Sequence, residues 1–184
     1  MEEQGKMGKT GTDSNEKFID SIKMEDVPWG KLTTAYGRAA DFPEYLAILD
    51  EMADREKMER AFGEIGNCIE HQGTLWHSTP FALIFLVRIY RAAAKRDESG
   101  NADWLAEELE DLFHLIAQCF HDMMEETEDE GFLPLFSDML REEYLWPEDM
   151  SEEEEESRWE EDAYDEELFA SIYHYSYELV KEFE

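Results

Sequence analysis

Apolar residues in this chain recur mainly at intervals of three and four, and sustained alternation with a period of two is hard to find. The densest apolar stretch follows a run of start signals, His71-Gln72-Gly73-Thr74-Leu75-Trp76-His77-Ser78-Thr79-Pro80. Gly73 breaks the preceding pattern, Ser78 or Thr79 offers an acceptor to the amides of a new first turn, and Pro80 sits where a missing N–H is harmless. From Phe81 to Ile89 nearly every side of the predicted helix is apolar, which requires neighbours on more than one face. This is the central helix of the expected fold.

On either side the pattern predicts further helices. Residues 1–15 are polar, with Gly5, Gly8 and Gly11, and read as a flexible leader ahead of one helical domain over 16–184. Residues 16–26 carry Phe18, Ile19, Ile22 and Met24 at helical spacing, stopped at Val27-Pro28; Pro28 then opens a second short helix over 29–36, capped at Gly37. Asp41-Phe42-Pro43 starts a helix with Tyr45, Leu46, Ile48, Leu49 and Met52 on one face. Asp54 caps the next, whose stripe of Met58, Ala61, Phe62, Ile65, Cys68 and Ile69 runs to Gly73; Gly63 and Gly66 inside it suit close approach of a neighbour, or a break near Gly66.

Beyond the central helix and a polar turn at 97–101, residues 102–126 form the longest periodic segment. Trp104, Leu105, Leu109, Leu112, Phe113, Ile116, Ala117, Phe120 and Met124 face inward, opposite an edge of Glu107, Glu108, Glu110 and Asp111. After an acidic turn at 125–130, residues 132–145 predict another helix, ended by Trp146-Pro147. The charge block at 148–157 reads as an acidic loop or frayed helix end, and a final aromatic helix follows from Trp159 to Val180. The expected fold is therefore all-α: antiparallel helix pairs, 41–72 and then 78–126, arranged as a HEAT-like short α-solenoid or an irregular helical bundle.

Composition changes the picture mainly through charge. Lys+Arg number 16 against 48 Asp+Glu, a formal net charge of -32. Such a surface repels nucleic acid phosphates and anionic lipid and attracts basic proteins or cations. Cys68 and Cys119 lie in apolar helical patterns without the spacing of a disulfide framework, which implies reduced buried thiols and a cytoplasmic setting. The longest apolar run, 81–87, is too short to span a bilayer, and the N-terminus has no apolar signal region.

Candidate chemistry is sparse. Cys68-x-x-His71 with His77, and more distantly Cys119 and His121, has a loosely metal-like spacing but no second tight pair, so no metal or other cofactor is expected. Asp111-x-x-His114 lacks the second Glu-x-x-His that a di-iron bundle needs. No Gly-rich phosphate loop or nucleophile elbow occurs, and Ser78 beside His77 has no orienting acid, which points away from catalysis. The remaining chemistry is a surface for a basic partner, with Glu107, Glu108 and Asp111 for steering and Trp76, Trp146 and Trp159 as aromatic anchors.

Trp29, Ala35-Tyr36-Gly37, Ala40-Asp41-x-Pro43, a Leu-rich helix and then Ile69-x-His71-Gln72-Gly73-Thr74-x-Trp76-x-x-Thr79 together resemble a group of bacterial HEAT-repeat-like proteins. The resemblance runs from about Trp29 to Ile89 and departs at Phe81-Ala82-Leu83-Ile84-Phe85, where the group often has a proline before Phe-Leu. It implies a small helical scaffold without enzymatic activity, several such proteins being similar to immunity proteins encoded beside secreted toxins. In that light Trp29, Tyr36, Gly37, Pro43, His71, Gln72, Gly73 and Trp76 would determine the fold. The expectation is a cytoplasmic immunity protein, monomeric or weakly dimeric, that blocks a cognate toxin, with a basic nuclease as the candidate. Its binding surface would draw on Glu107, Glu108, Asp111, His71, Gln72, Trp76, His77 and Trp159. The alternative is a non-catalytic helical adaptor for another protein complex.

Overall fold

A computed structural model describes residues 4–96, 100–126, 131–160 and 164–184. Parts of the polar turn at 97–101, the acidic turn at 125–130 and the leader lie outside the described residues. Among the described residues the chain is mostly helical, with two small antiparallel β-hairpins. In order it forms α1 (Gln4–Ser21), β1 (Thr33–Thr34), β2 (Gly37–Arg38), α2 (Phe42–Glu51), α3 (Arg55–Ile69), β3 (Glu70–His71), β4 (Thr74–Leu75), α4 (Thr79–Ala93), α5 (Gly100–Glu126), α6 (Glu152–Glu160) and α7 (Glu166–Val180).

As its composition requires, α4 is the centre. Every residue from Thr79 to Val87 is buried, and α2, α5 and α7 pack around it. The antiparallel partners α2 and α3 lie against one another, while α7 covers both α4 and α5. Asp54 caps α3 as its chemistry predicts, accepting from Lys57 N at 3.2 Å. The start of α4 uses different chemistry from the one expected. Ser78 is already helical (φ -72, ψ -20) and its hydroxyl caps nothing. Thr79 Oγ1 instead donates to Ile69 O at 2.6 Å and accepts from Trp76 N at 2.9 Å, tying the helix start to the end of α3.

The hairpins replace expected helix. Residues 29–36 were predicted helical, but only Trp29–Lys31 make a 3-10 turn before Thr33 and Thr34 turn into β1. Two consecutive β-branched residues favour extended backbone, and both are buried. Gly37 follows at φ 136, a conformation that glycine adopts without strain. In the second hairpin Gln72 (φ 53) and Gly73 (φ 81) form a two-residue loop of left-handed backbone, and Gly73 N donates to Glu70 Oε1 at 2.8 Å. The helix expected to run to Gly73 therefore ends at Ile69.

The two hairpins belong to successive units of the same design. Thr33 and Glu70, Gly37 and Thr74, and Phe42 and Thr79 open corresponding elements 37 residues apart, with Pro43 and Pro80 in equivalent first turns. They lie side by side, with Ala35 N donating to Cys68 O at 3.0 Å and Ser78 N to Thr33 O at 3.1 Å.

Other boundaries also differ from expectation. The leader is helical from Gln4, and Asn15 is fixed by Phe136 N, which donates to its Oδ1 at 2.8 Å. The helix expected over 16–26 ends at Ser21, and a separate 3-10 turn occupies Met24–Asp26. Residues 132–145 supply only a 3-10 turn, Phe136–Leu140, because Phe136 and Met139 turn directly into the core. The acidic loop at 148–157 is largely α6, which also takes Trp159, so the last helix begins at Glu166 with Asp165 as its cap. Met124, expected inward, is 44% exposed near the end of α5.

Candidate functional site

Beside the first hairpin, α6 borders a groove of about 460 Å³. The local sequence explains how α6 is held there. Arg38, projecting from β2, donates to the carbonyls of Gly30 (3.2 Å), Trp146 (3.1 Å) and Pro147 (3.0 Å) and pairs with Glu155 of α6. One guanidinium thus gathers the backbone before α6 and a carboxylate on it.

Beneath α6 lies Trp146, only 1% exposed, with Arg38 5.2 Å and Arg158 4.8 Å from its ring centre. Burial and then the neighbouring Arg38 lower the Arg158 pKa. Trp159 packs on Trp146 at 4.7 Å between ring centroids and on Trp76 at 5.4 Å. The three anchors picked out by sequence therefore form one aromatic cluster, but Trp146 is core and not contact surface.

Around the groove, Tyr36 and Trp159 are the exposed aromatic edges, with Trp76 between them and Glu152, Glu155 and Glu156 along α6. Tyr36 meets a residue of the second hairpin, its hydroxyl 3.1 Å from His71 Nδ1. Gln72 stands exposed at the neighbouring loop tip. His71, Gln72, Trp76 and Trp159 are thereby brought to one end of the molecule.

His77 is a correction to the expected contact set. Its side chain is wholly buried, with Nε2 2.8 Å from Met139 O, so it is closed to a docking partner. Burial pushes its pKa down to about 4 despite that backbone contact, which keeps the imidazole neutral at pH 7. Nε2–H is then the donor to Met139 O, leaving Nδ1 buried without a hydrogen-bond partner. Nearby, His77 N donates to the Tyr164 hydroxyl at 3.2 Å, and burial raises Tyr164 to about 12.

Glu107, Glu108 and Asp111 line a different surface, in the N-terminal half of α5. Glu108 is already engaged as acceptor for Trp104 Nε1 at 2.9 Å, and Arg55 covers the same indole at 4.0 Å. The candidate metal donors each have separate surroundings: His71 meets Tyr36, His77 meets Met139, and His121 pairs with Glu184 at 2.7 Å. Among the described residues no group of three or more His, Cys, Asp or Glu side chains is placed to hold a metal ion. Both thiols are free, Cys119 buried and Cys68 half-buried, and burial pushes Cys119 up to about 12.

Tyr36, Arg38 and the α6 carboxylates were not among the expected contact residues. A helical signal was nonetheless present, since Glu152, Glu155, Glu156 and Trp159 stand at i, i+3, i+4 and i+7. Chemically the groove offers aromatic faces and carboxylates, a combination suited to a cation. Among the described residues, no helix is long and apolar enough to cross a membrane. No family model, curated protein or solved structure matches the chain.

Proposed function

We propose that this chain is a non-catalytic binding protein that captures a basic protein partner and covers its working surface, as an immunity protein does with a cognate toxin. The observation that carries this reading is a net charge of -32 combined with a face where exposed Tyr36 and Trp159 adjoin Glu152 and Glu156. Charge accelerates encounter over several ångströms, and aromatic contacts then supply the short-range affinity. A basic nuclease fits this chemistry, because its phosphate-binding cleft accepts carboxylates in place of phosphates. Self-repulsion favours a monomer or weak homodimer, and the free thiols accord with a cytoplasmic setting.

The HEAT-like resemblance gains support from the 37-residue offset between the two hairpin and helix units. The same offset favours a second reading, a helical adaptor built from tandem units. Titration against the product of the adjacent gene at low and high salt separates the two. Immunity predicts tight binding, inhibition of the partner's activity and at least about tenfold weaker affinity at high salt. Binding without inhibition favours the adaptor, and the absence of both binding and inhibition sinks the immunity reading.

A further inference from the structure

We propose that the groove between α6 and the first hairpin receives an arginine side chain from the basic partner. This rests on the capture reading above and assigns the place where the partner's charge is recognised.

The molecule uses the required chemistry internally, at two places. Arg55 lies 4.0 Å from the centre of the Trp104 ring and pairs with Glu59 at 2.8 Å. Arg38 lies 5.2 Å from the Trp146 ring centre and pairs with Glu155. Each place combines an indole, a carboxylate and a guanidinium. The groove repeats the first two members, with the indole of Trp159 and the carboxylates of α6, and has no guanidinium among its lining residues.

Its carboxylates are not equivalent. Glu155 is neutralised by Arg38, whereas the carboxylates of Glu152 and Glu156, one helical turn apart, make no side-chain hydrogen bond or ion pair with other described residues. Tyr36 is 67% exposed and Trp159 36%, large aromatic surfaces left open at the same groove. At about 460 Å³ the groove has the size of a side-chain or small-ligand site. Gly37, with no heavy atom within 4 Å of where a Cβ would stand, leaves that edge clear. A planar guanidinium stacks on the aromatic faces while its N–H groups reach Glu152 and Glu156, a geometry that a lysine ammonium does not match.

The test uses the full chain, ¹⁵N-labelled at its tryptophan indoles, titrated at low salt with hexa-arginine peptide. The indole signals of Trp76 and Trp159 should shift while those of Trp29 and Trp104 stay in place. Glu152→Gln/Glu156→Gln should weaken binding about tenfold, against less than about twofold for Glu107→Gln/Asp111→Asn. The unmoved Trp29 signal in both variants reports an intact fold. Equal losses in the two variants, or equal affinity for hexa-lysine, overturn the arginine site. A shift at Trp104 in place of Trp159 overturns the site while leaving capture of a basic partner standing. No peptide binding at low salt overturns both.

Discussion

Two acidic helix faces, one on α5 and one on α6, show how little charge alone specifies. On α5, Glu107, Glu108 and Asp111 stand opposite a continuous apolar seam, and Glu108 is tied to Trp104 beneath Arg55. On α6, carboxylates of the same kind border an open groove beside partly exposed Trp159. The first face keeps a long amphipathic helix solvated. The second combines charge with unfilled aromatic surface, the arrangement from which binding hot spots are built.

The strongest way to break this contrast is to remove what lies under α6. Trp146→Ala should cost about 3–5 kcal/mol, measured by urea denaturation, and the Trp159 emission should move toward that of a solvated indole. A midpoint unchanged from the parent chain would mean that Trp146 does not seat α6.

Acid reaches the same end of the molecule through His77. Its folded pKa, about 4 against an ordinary 6.5, means that the unfolded chain takes up the proton first as pH falls. Its contribution is constant above about pH 6.5, and stability should decline by about 3 kcal/mol between pH 6.5 and 4. Relief of the large negative charge acts in the opposite direction. Comparison with His77→Leu isolates the histidine, since the variant should lack this component of the pH dependence.

Smaller effects sharpen the contrast. Arg38→Leu should cost about 2–3 kcal/mol by leaving three backbone carbonyls without their charged donor, and amide exchange should rise across α6 before it rises in α4. Glu107→Gln/Asp111→Asn should change stability by less than about 0.5 kcal/mol, with thermal midpoints nearly superimposed. A large loss there would give the α5 edge a structural part that its exposure does not suggest.

Periodicity made α2, α3, α4 and α5 legible, since each has an apolar stripe long enough to separate from noise, and Asp54 marked one start. The hairpins were hidden for a physical reason. Two-residue strands contain no alternation to detect, so Thr33-Thr34 were absorbed into a predicted helix and Gly37 was read as its cap. Within the site, Trp76 and Trp159 were visible as candidates, as were His71 and Gln72 at the glycine turn. Their convergence with Tyr36 was not, because it depends on Arg38 capturing carbonyls 108 and 109 residues away. Nor did the residue type distinguish His77, which is sealed inside, from His71, which is not.

Asn15 carries a consequence for the order of folding. Its side chain bonds to Pro134 O, to Phe136 N and to the Tyr175 hydroxyl, spanning 119, 121 and 160 residues. Loops of that length form late, after the local helix pairs that cost less entropy to close. On the ribosome the Asn15 network is therefore complete only after Tyr175 has emerged, while the two hairpin units can already have collapsed around α4. The completion of the Asn15 network and the docking of α7 thereby become one step.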